Sequence, residues 1–189
     1  MNPPAPATVV RVKGLSHACQ GRAVLVSLDF SIPAGVTLIR GEEQSGKTTL
    51  LRLLAGEVYP DRGEVQTLGL APTPDLAAYQ RLVFRCAPLS EALDQTRAHD
   101  WYEGLPQRFG ALDRPLLNDL IAGFDLTEHL SKPLYMLSAG SRRKVWICAA
   151  IASNAPLILI DQPFAALDGP SVRLLREVLQ DMAEHPRRA

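Results

Sequence analysis

The sequence predicts an α/β domain with a largely parallel central sheet. Two observations carry this prediction: apolar strand patterns alternate with helical patterns, and a glycine-rich loop joins a predicted strand to a predicted helix at residues 41–49. The chain of 189 residues, 47% of them hydrophobic, suits one domain of ordinary size with its own core.

The first forty residues predict β-strands. Val10 and Val12 alternate with basic residues. A second alternating run predicts a half-buried strand with its apolar residues at Val24, Val26, Leu28, Phe30 and Ile32. After a turn at residues 33–35, the segment VTLIR (36–40) predicts a further strand, and TTLLRLLAG (48–56) predicts a helix that stops at Gly56.

Residues 88–140 carry helical patterns such as RPLLNDLIAGF and little strand signal, which predicts an inserted helical subdomain. Strand sequence returns at LILI (157–160). An amphipathic helix follows, with one apolar face formed by Val172, Leu175, Val178, Leu179 and Met182. We therefore predict a disordered N-terminus at 1–8, an α/β core from 9–87 and 141–189, and the insert at 88–140.

Composition excludes several classes of protein. The chain has 20 basic and 20 acidic residues, which gives no support for nucleic acid as a partner. Its three cysteines are odd in number and widely spaced, which indicates reduced thiols in a cytosolic compartment. The N-terminus lacks a signal-peptide pattern, and the most apolar window, 145–160, is too interrupted to span a bilayer. Any membrane role is expected to be peripheral.

The segment GEEQSGKTT fits the phosphate-loop pattern G-x-x-x-x-G-K-[ST] between a strand and a helix. Lys47 would reach the β- and γ-phosphates of a nucleotide, and the Thr48 hydroxyl would hold Mg²⁺. The predicted ATP-binding residues are Gly41, Glu42, Glu43, Gln44, Ser45, Gly46, Lys47, Thr48 and Thr49. The alternative, a glycine turn with an unrelated lysine, does not explain the flanking strand and helix.

The apolar strand LILI ends at Asp161. A carboxylate at the end of a buried strand costs free energy unless something there uses it. A phosphate-bound Mg²⁺ needs a hard anionic oxygen ligand, so we predict that Asp161 and Thr48 hold the metal together. The alternative is a helix N-cap at the end of a strand.

The segment LSAGSRRKV (137–145) closes the predicted insert. With the phosphate loop before it and the acidic strand after it, the chain resembles the ATP-binding cassettes of ABC transporters, whose signature is LSGGQ. Here the signature residues are Ser138, Ala139 and Gly140, and Ala166-Leu167-Asp168 resembles the family's D-loop. The resemblance covers about residues 10–185. Taken alone, LSAGS would indicate only a serine-capped helix start.

The resemblance implies a P-loop NTPase fold: a RecA-like parallel core, an antiparallel β layer and an inserted helical subdomain. It implies ATP and Mg²⁺ as cofactors, and two cassettes docked head-to-tail, each phosphate loop facing the partner's signature. It further implies a transmembrane permease as partner, with the chain cytoplasmic and peripheral on the inner face of the cell membrane. In size the chain is similar to cassettes of the haem-exporter and cytochrome c maturation type.

Four residues depart from the family pattern. Gln162 replaces the catalytic glutamate, and an amide cannot accept the proton of the attacking water, where a general base contributes ~10²–10⁴-fold. Gln44 replaces a loop glycine, which implies strain if that position needs positive φ. Cys19 lies where an aromatic residue would stack on adenine, and Arg85 lies about where the family has its Q-loop glutamine.

A fifth departure is the lack of the family's apolar strand that ends in a histidine at the γ-phosphate. We expect His185 to be a surface histidine near a helix end. In the family that strand lies between the phosphate-loop strand and the acidic strand, so we expect an unfilled sheet position here. This predicts that the natural chain continues past Ala189 or is a trimmed variant.

The expected function is the ATP-binding subunit of an ABC transporter with a degenerate catalytic site and weak or partner-dependent hydrolysis. A heterodimer with an intact cassette is favoured over a homodimer, because the altered residues surround this chain's own nucleotide. The alternative is a nucleotide-gated regulatory or binding protein without transport or turnover. A small-molecule kinase with a phosphate loop would leave LSAGS unexplained.

Overall fold

The computed structural model describes residues 7–183. Strands within this range are β1 (Thr8–Cys19), β2 (Arg22–Pro33), β3 (Arg62–Thr67), β4 (Val83–Cys86) and β5 (Leu157–Ile160). The α-helices are α1 (Lys47–Leu54), α2 (Leu76–Gln80), α3 (Ala98–Phe109), α4 (Arg114–Gly123), α5 (Ala139–Ala152) and α6 (Gly169–Met182). Short 3₁₀ turns lie at Glu91–Leu93, Thr127–His129 and Leu134–Met136.

An antiparallel sheet with the order β2-β1-β3 forms the first layer. Its inner face buries Val10, Val12 and Val65 in one cluster with Leu53 and Leu54 of α1. Removing these branched side chains from water stabilises the layer by roughly 1.5–3 kcal/mol for each. The sheet therefore supports the helix that begins at the glycine-rich loop.

The alternation predicted along β2 breaks in the middle of the strand. Leu25 is buried, whereas Val26 is 68% exposed. The register with β1 shifts there, and Ser27 takes a φ of 47°. This irregularity is a β-bulge, whose extra residue moves the following side chains to the opposite face of the sheet. The prediction that Val26 lies on the half-buried face is therefore wrong.

Strands β4 and β5 form a parallel pair, with Val83 opposite Leu157 and Cys86 opposite Ile160. The predicted strand at residues 36–40 joins neither sheet in the described part of the chain, so that prediction is wrong. Apolar alternation shows which side chains can be buried. A strand also needs a neighbouring backbone to exchange hydrogen bonds with, and the local pattern does not supply one.

A groove of about 390 Å³ lies between residues 36–39 and β5. Its walls are mainly apolar, and α6 contributes Leu179 and Met182. At Gly35 an added Cβ would come within 2.4 Å of the Ala183 carbonyl oxygen, so the end of α6 lies at the start of this segment. The groove occupies the place between the phosphate-loop segment and the acidic strand where an unfilled sheet position was expected.

Helices α3 and α4 pack against α5, which is buried from Val145 to Ala152. An aromatic cluster joins these helices to β4. The Trp101 and Trp146 ring centroids are 4.5 Å apart, and Phe84 lies 6.2 Å from each of them. The helical region and the parallel strands thus share one hydrophobic core. The boundaries proposed for the insert remain a prediction.

Two sequence predictions concern the ends of the described range. Thr8, placed in a disordered N-terminus, is the first residue of β1 and pairs with Pro33. Residues 1–6 lie outside the described range, as does His185, so the predictions for them stay predictions. No helix within residues 7–183 combines the length and apolarity that a membrane span requires.

All three cysteines are free thiols, as the sequence predicts. Cys19 is exposed, and Cys86 and Cys148 are buried. Burial raises the pKa of Cys86 to about 12 and also raises the pKa of Cys148. Both buried thiols therefore stay protonated at neutral pH and pack as small apolar groups.

Candidate functional site

The candidate site lies where the glycine-rich loop, residues 41–48, meets the end of β5. Gly46 takes a φ of 88° as the N-cap of α1. A Cβ at Gly46 would come within 2.8 Å of Val24 Cγ1 and 2.9 Å of Leu25 Cδ2. Because β2 leaves no room and φ is positive, this position requires glycine, and the loop lies directly against the antiparallel sheet.

Lys47 folds back across the loop that precedes it. Its Nζ donates to the carbonyl oxygens of Gly41 at 2.8 Å and Glu42 at 2.5 Å, and to Ser45 Oγ at 3.2 Å. These acceptors match the three donors of an ammonium group. Residues 41–45 are exposed, so the loop presents a cation and a helix N-terminus to solvent, an arrangement suited to a phosphate chain.

Thr48 and Asp161, which are 113 positions apart in the chain, meet at this loop. The Thr48 hydroxyl donates to Asp161 Oδ2 at 2.5 Å. Thr48 is placed by the first turn of α1, and Asp161 directly follows the buried strand β5. Two hard oxygen groups, from the residues that the sequence proposes as metal ligands, therefore lie side by side next to the phosphate loop.

This pair suits Mg²⁺, which prefers oxygen ligands and is commonly held by one or two protein groups together with substrate phosphates. Within residues 7–183 no group of three His, Cys, Asp or Glu side chains is placed to hold a metal ion. A cation at Thr48 and Asp161 would therefore take its remaining ligands from bound phosphates or water.

Gln162 directly follows Asp161 and has an exposed side chain. Its φ is 48°, in the left-handed region that costs a non-glycine residue about 1–2 kcal/mol. Its carbonyl oxygen accepts from Arg143 Nη1 at 2.8 Å and from the Ala165 N–H at 3.0 Å. The amide can orient a water molecule but supplies no base.

Gln44, at the top of the loop, takes a φ of 61°. The sequence predicts strain at this position if it requires positive φ, and the backbone meets that condition. A glycine would adopt the same conformation without the steric cost of a Cβ.

The signature residues form the start of α5. Ser138 is the N-cap, and its Oγ accepts from the Ser141 N–H at 3.0 Å. A Cβ at Gly140 would come within 2.5 Å of the Ala166 carbonyl oxygen. Ala139 is exposed and small. Ser138 therefore caps the helix start. Position 140 also requires a glycine, because a larger side chain would collide with the segment that resembles a D-loop.

Asp168 is the N-cap of α6, where its Oδ1 accepts from the Ser171 N–H at 2.8 Å. Its Oδ2 accepts from Lys144 Nζ at 2.7 Å. The hydrogen bond from Lys144, followed by those from Ser171, holds the pKa of Asp168 well below its usual range. Asp168 is therefore an anion that joins the start of α6 to α5.

Arg85 does not lie at the candidate site, which corrects the expectation from its position in the sequence. It lies on β4 opposite Leu159, and its Nε donates to Glu57 Oε1 at 2.5 Å. Glu57 follows the C-terminal end of α1, whereas the phosphate loop is at the N-terminal end. The ion pair therefore holds the guanidinium away from Asp161. Cys19 is exposed at the end of β1.

Sequence reasoning missed Arg143 and Lys144 as neighbours of the site. Arg143 Nη1 donates to the carbonyl oxygens of Asp161 and Gln162, and Lys144 binds Asp168. The signal was present as the basic run that follows the signature, but the partners of these cations depend on how α5 packs beside β5.

Comparison with known proteins agrees with this geometry. The profile of the family described as ABC transporter matches residues 25–165. The chain is 29% identical over 185 residues to the galactofuranose transporter ATP-binding protein YtfR of Escherichia coli (strain K12), an alignment covering 93% of this chain and 37% of that protein. The chain thus spans well under two thirds of that relative's length.

Two further comparisons cover more of the relative. The cytochrome c biogenesis ATP-binding export protein CcmA of Paramagnetospirillum magneticum is 33% identical over 183 residues, covering 92% of this chain and 80% of that protein. A solved structure described as the ATP binding subunit of an ABC transporter matches with a TM-score of 0.83 at 25% identity, covering 93% and 75% of the two chains. The chain belongs to the ABC transporter family, as a nucleotide-binding cassette.

Proposed function

We propose that the chain binds Mg-ATP at its phosphate loop and couples dimerisation of two cassettes to a membrane permease. The observation that carries the proposal is the contact of 2.5 Å between the Thr48 hydroxyl and Asp161 Oδ2 beside Lys47. Two motifs from distant parts of the chain meet there. The phosphate loop supplies hydrogen-bond donors for phosphate oxygens, and the end of β5 supplies an anionic metal ligand.

ATP would bind with its phosphates along residues 41–49. Lys47 Nζ would exchange the loop carbonyls that it now contacts for β- and γ-phosphate oxygens, and backbone N–H groups at the start of α1 would donate to the same chain. Mg²⁺ would be held by Thr48 and Asp161 and would neutralise phosphate charge when bound. The remaining residues of the loop would surround the bound phosphates.

Hydrolysis by the chain alone is slow in this proposal. Gln162 can hold the attacking water by hydrogen bonds, but its amide does not accept the proton. The groove beside β5 supports the same conclusion, because Asp161 is the only carboxylate among the described residues that line it.

The partner in this proposal is a second cassette, docked so that Ser138, Ala139 and Gly140 face its γ-phosphate. The capped start of α5 presents a hydroxyl and helix N–H groups for this purpose. A transmembrane permease is the other partner, which places the chain on the inner face of the cell membrane. A heterodimer with an intact cassette is favoured over a homodimer, since Gln44 and Gln162 both belong to this chain's own site.

A second candidate, favoured by Gln162 alone, is a nucleotide-gated regulatory protein with no turnover and no permease. Co-purification of a membrane-embedded partner in detergent supports transport. Co-purification of a soluble partner instead, in an ATP-dependent manner, supports the regulatory role.

The test of ATP binding is titration of the chain with ATP, with and without Mg²⁺. Lys47→Ala should remove most of the affinity, because Lys47 is the only side-chain cation within residues 41–49. Asp161→Asn should weaken binding only when Mg²⁺ is present. Arg52→Ala is the matched control, since Arg52 lies on the same helix but faces Glu57 at 3.7 Å. Undiminished affinity in Lys47→Ala would contradict this placement of the site.

A further inference from the structure

Three consecutive cations on α5 have three different sets of partners. Arg142 binds the Ser90 carbonyl and the Asp94 carboxylate in the helical region. Lys144 binds the Asp168 carboxylate. Arg143, between them, turns toward the end of β5 and contacts only backbone there. Of these three side chains, Arg143 is therefore the one directed at the candidate site.

Arg143 Nη1 donates to two successive carbonyl oxygens, Asp161 O at 3.0 Å and Gln162 O at 2.8 Å. The two carbonyls flank the φ and ψ angles of Gln162. In an extended strand successive carbonyls point to opposite sides, so a single donor could not reach both. The left-handed conformation at Gln162, with φ of 48°, allows them to converge on one guanidinium nitrogen.

This contact offsets the steric cost of the conformation. A left-handed residue other than glycine is disfavoured, whereas hydrogen bonds from a charged donor are among the stronger ones in proteins. The Arg143 side chain is partly buried, and its Nε is buried without a hydrogen-bond partner within the described residues, so solvent competes weakly for the group. Without Arg143 the Asp161–Gln162 turn would keep the hydrogen bond from the Ala165 N–H to the Gln162 carbonyl oxygen, but it would lose the donor that joins its two carbonyls and would be less constrained.

We infer that Arg143 is a positioning residue that fixes where the Asp161 carboxylate and the Gln162 amide point. The inference rests on the proposed function, because the groups that it positions are the proposed metal ligand and the residue beside the attacking water. Asp161 reaches Thr48 with its side chain and Arg143 with its main chain, so the arginine acts on the metal site through the backbone of a ligand.

The experiment compares Arg143→Gln with Arg142→Gln in the full chain. For each, ATP binding is titrated against Mg²⁺, ATP affinity is measured in chelator, and unfolding is followed in urea. Arg143→Gln should raise the Mg²⁺ concentration at half-saturation by roughly 10-fold, the lower range for residues that orient metal ligands, and leave metal-free ATP affinity near that of the unaltered chain. Arg143→Lys keeps the charge but not the planar guanidinium, and its Mg²⁺ concentration at half-saturation should lie between those of Arg143→Gln and the unaltered chain.

Arg142 is the matched control because it lies on the same helix as Arg143 but pairs with Asp94 in the helical region. Arg142→Gln should therefore lower the free energy of unfolding without changing the Mg²⁺ requirement. If Arg143→Gln and Arg143→Lys share the Mg²⁺ requirement of Arg142→Gln, the role of Arg143 is structural only and the inference is overturned, while ATP binding stands. Absence of ATP binding by the unaltered chain would overturn the proposed function first, and the role of Arg143 with it.

Discussion

The phosphate-loop end of the molecule (residues 41–48 with Asp161 and Gln162) and the signature end (residues 138–140 with 166–168) are stabilised in different ways. At the phosphate-loop end, Gln44 and Gln162 both hold positive φ, and the preceding segment joins no sheet among the described residues. At the signature end, Ser138 and Asp168 cap two helices.

The signature end also contains a non-glycine residue with positive φ, Ala166, whose carbonyl oxygen lies close against Gly140, and the Lys144–Asp168 ion pair joins α5 to the start of α6 there. In the proposed dimer, the end that carries the helix caps and this short-range packing would face the partner's nucleotide. The chain's own proposed nucleotide site has its binding groups, Lys47 and Thr48, but has an amide in the position of the base.

The largest expected effect is on ATP hydrolysis by a mixed pair of cassettes. It tests whether the signature end or the phosphate-loop end of this chain matters more for that hydrolysis. The chain is mixed with a catalytically complete cassette from its own genome, and phosphate release is measured. Ser138→Arg should lower the pair's turnover by more than roughly 10-fold, because an arginine would fill the place of the partner's γ-phosphate. Lys47→Ala should lower it less. Ser138→Ala is the control for loss of the cap, at about 1 kcal/mol of stability. A larger loss from Lys47→Ala than from Ser138→Arg would reverse the comparison.

The next effect concerns the missing base. The unaltered chain alone should turn over below ~1 s⁻¹, the low end of ordinary enzymes. Gln162→Glu should raise this rate by roughly 10-fold or more, because a carboxylate can accept the proton of the attacking water. Gln162→Ala is the control and should stay slow. Ordinary turnover in the unaltered chain would show that its own site is not degenerate.

Packing at the signature end is tested by two glycine substitutions. Gly140→Ala should lower the free energy of unfolding by about 1–3 kcal/mol, because its Cβ would meet the Ala166 carbonyl oxygen at 2.5 Å. Gly104→Ala, in α3 with no atom within 4 Å of the added Cβ, should be neutral or stabilise by up to ~1 kcal/mol. Urea unfolding measures both. Equal effects would mean that the contact with Ala166 is not tight.

The smallest expected effect is at the top of the loop. Gln44→Gly should raise the free energy of unfolding by about 0.5–1 kcal/mol, since glycine takes a φ of 61° without steric cost. ATP affinity should rise slightly with it. Gln44→Ala removes the same polar group but keeps the Cβ, and should give no gain. A gain of equal size from alanine would assign the effect to the side chain instead of the backbone.

Several features of the fold and the site could be predicted from local sequence. The phosphate loop, the acidic end of LILI, the amphipathic α6 and the capped start at Ser138 are each encoded within about ten neighbouring residues, by spacing, periodicity and capping. The bulge at Ser27 and the absence of a strand at residues 36–40 were missed. Both depend on how one segment pairs with another.

The amino-acid order alone established which chemical groups are available: an ammonium group, a hydroxyl, a carboxylate and an amide, from Lys47, Thr48, Asp161 and Gln162. These groups have the same donors and acceptors wherever the fold places them. The folded arrangement established which groups meet: Thr48 with Asp161 across 113 positions, Arg85 with Glu57 away from the site, and Arg143 with the carbonyls on either side of Gln162. A long charged side chain can reach many partners, and only the packing of α5 beside β5 selects one.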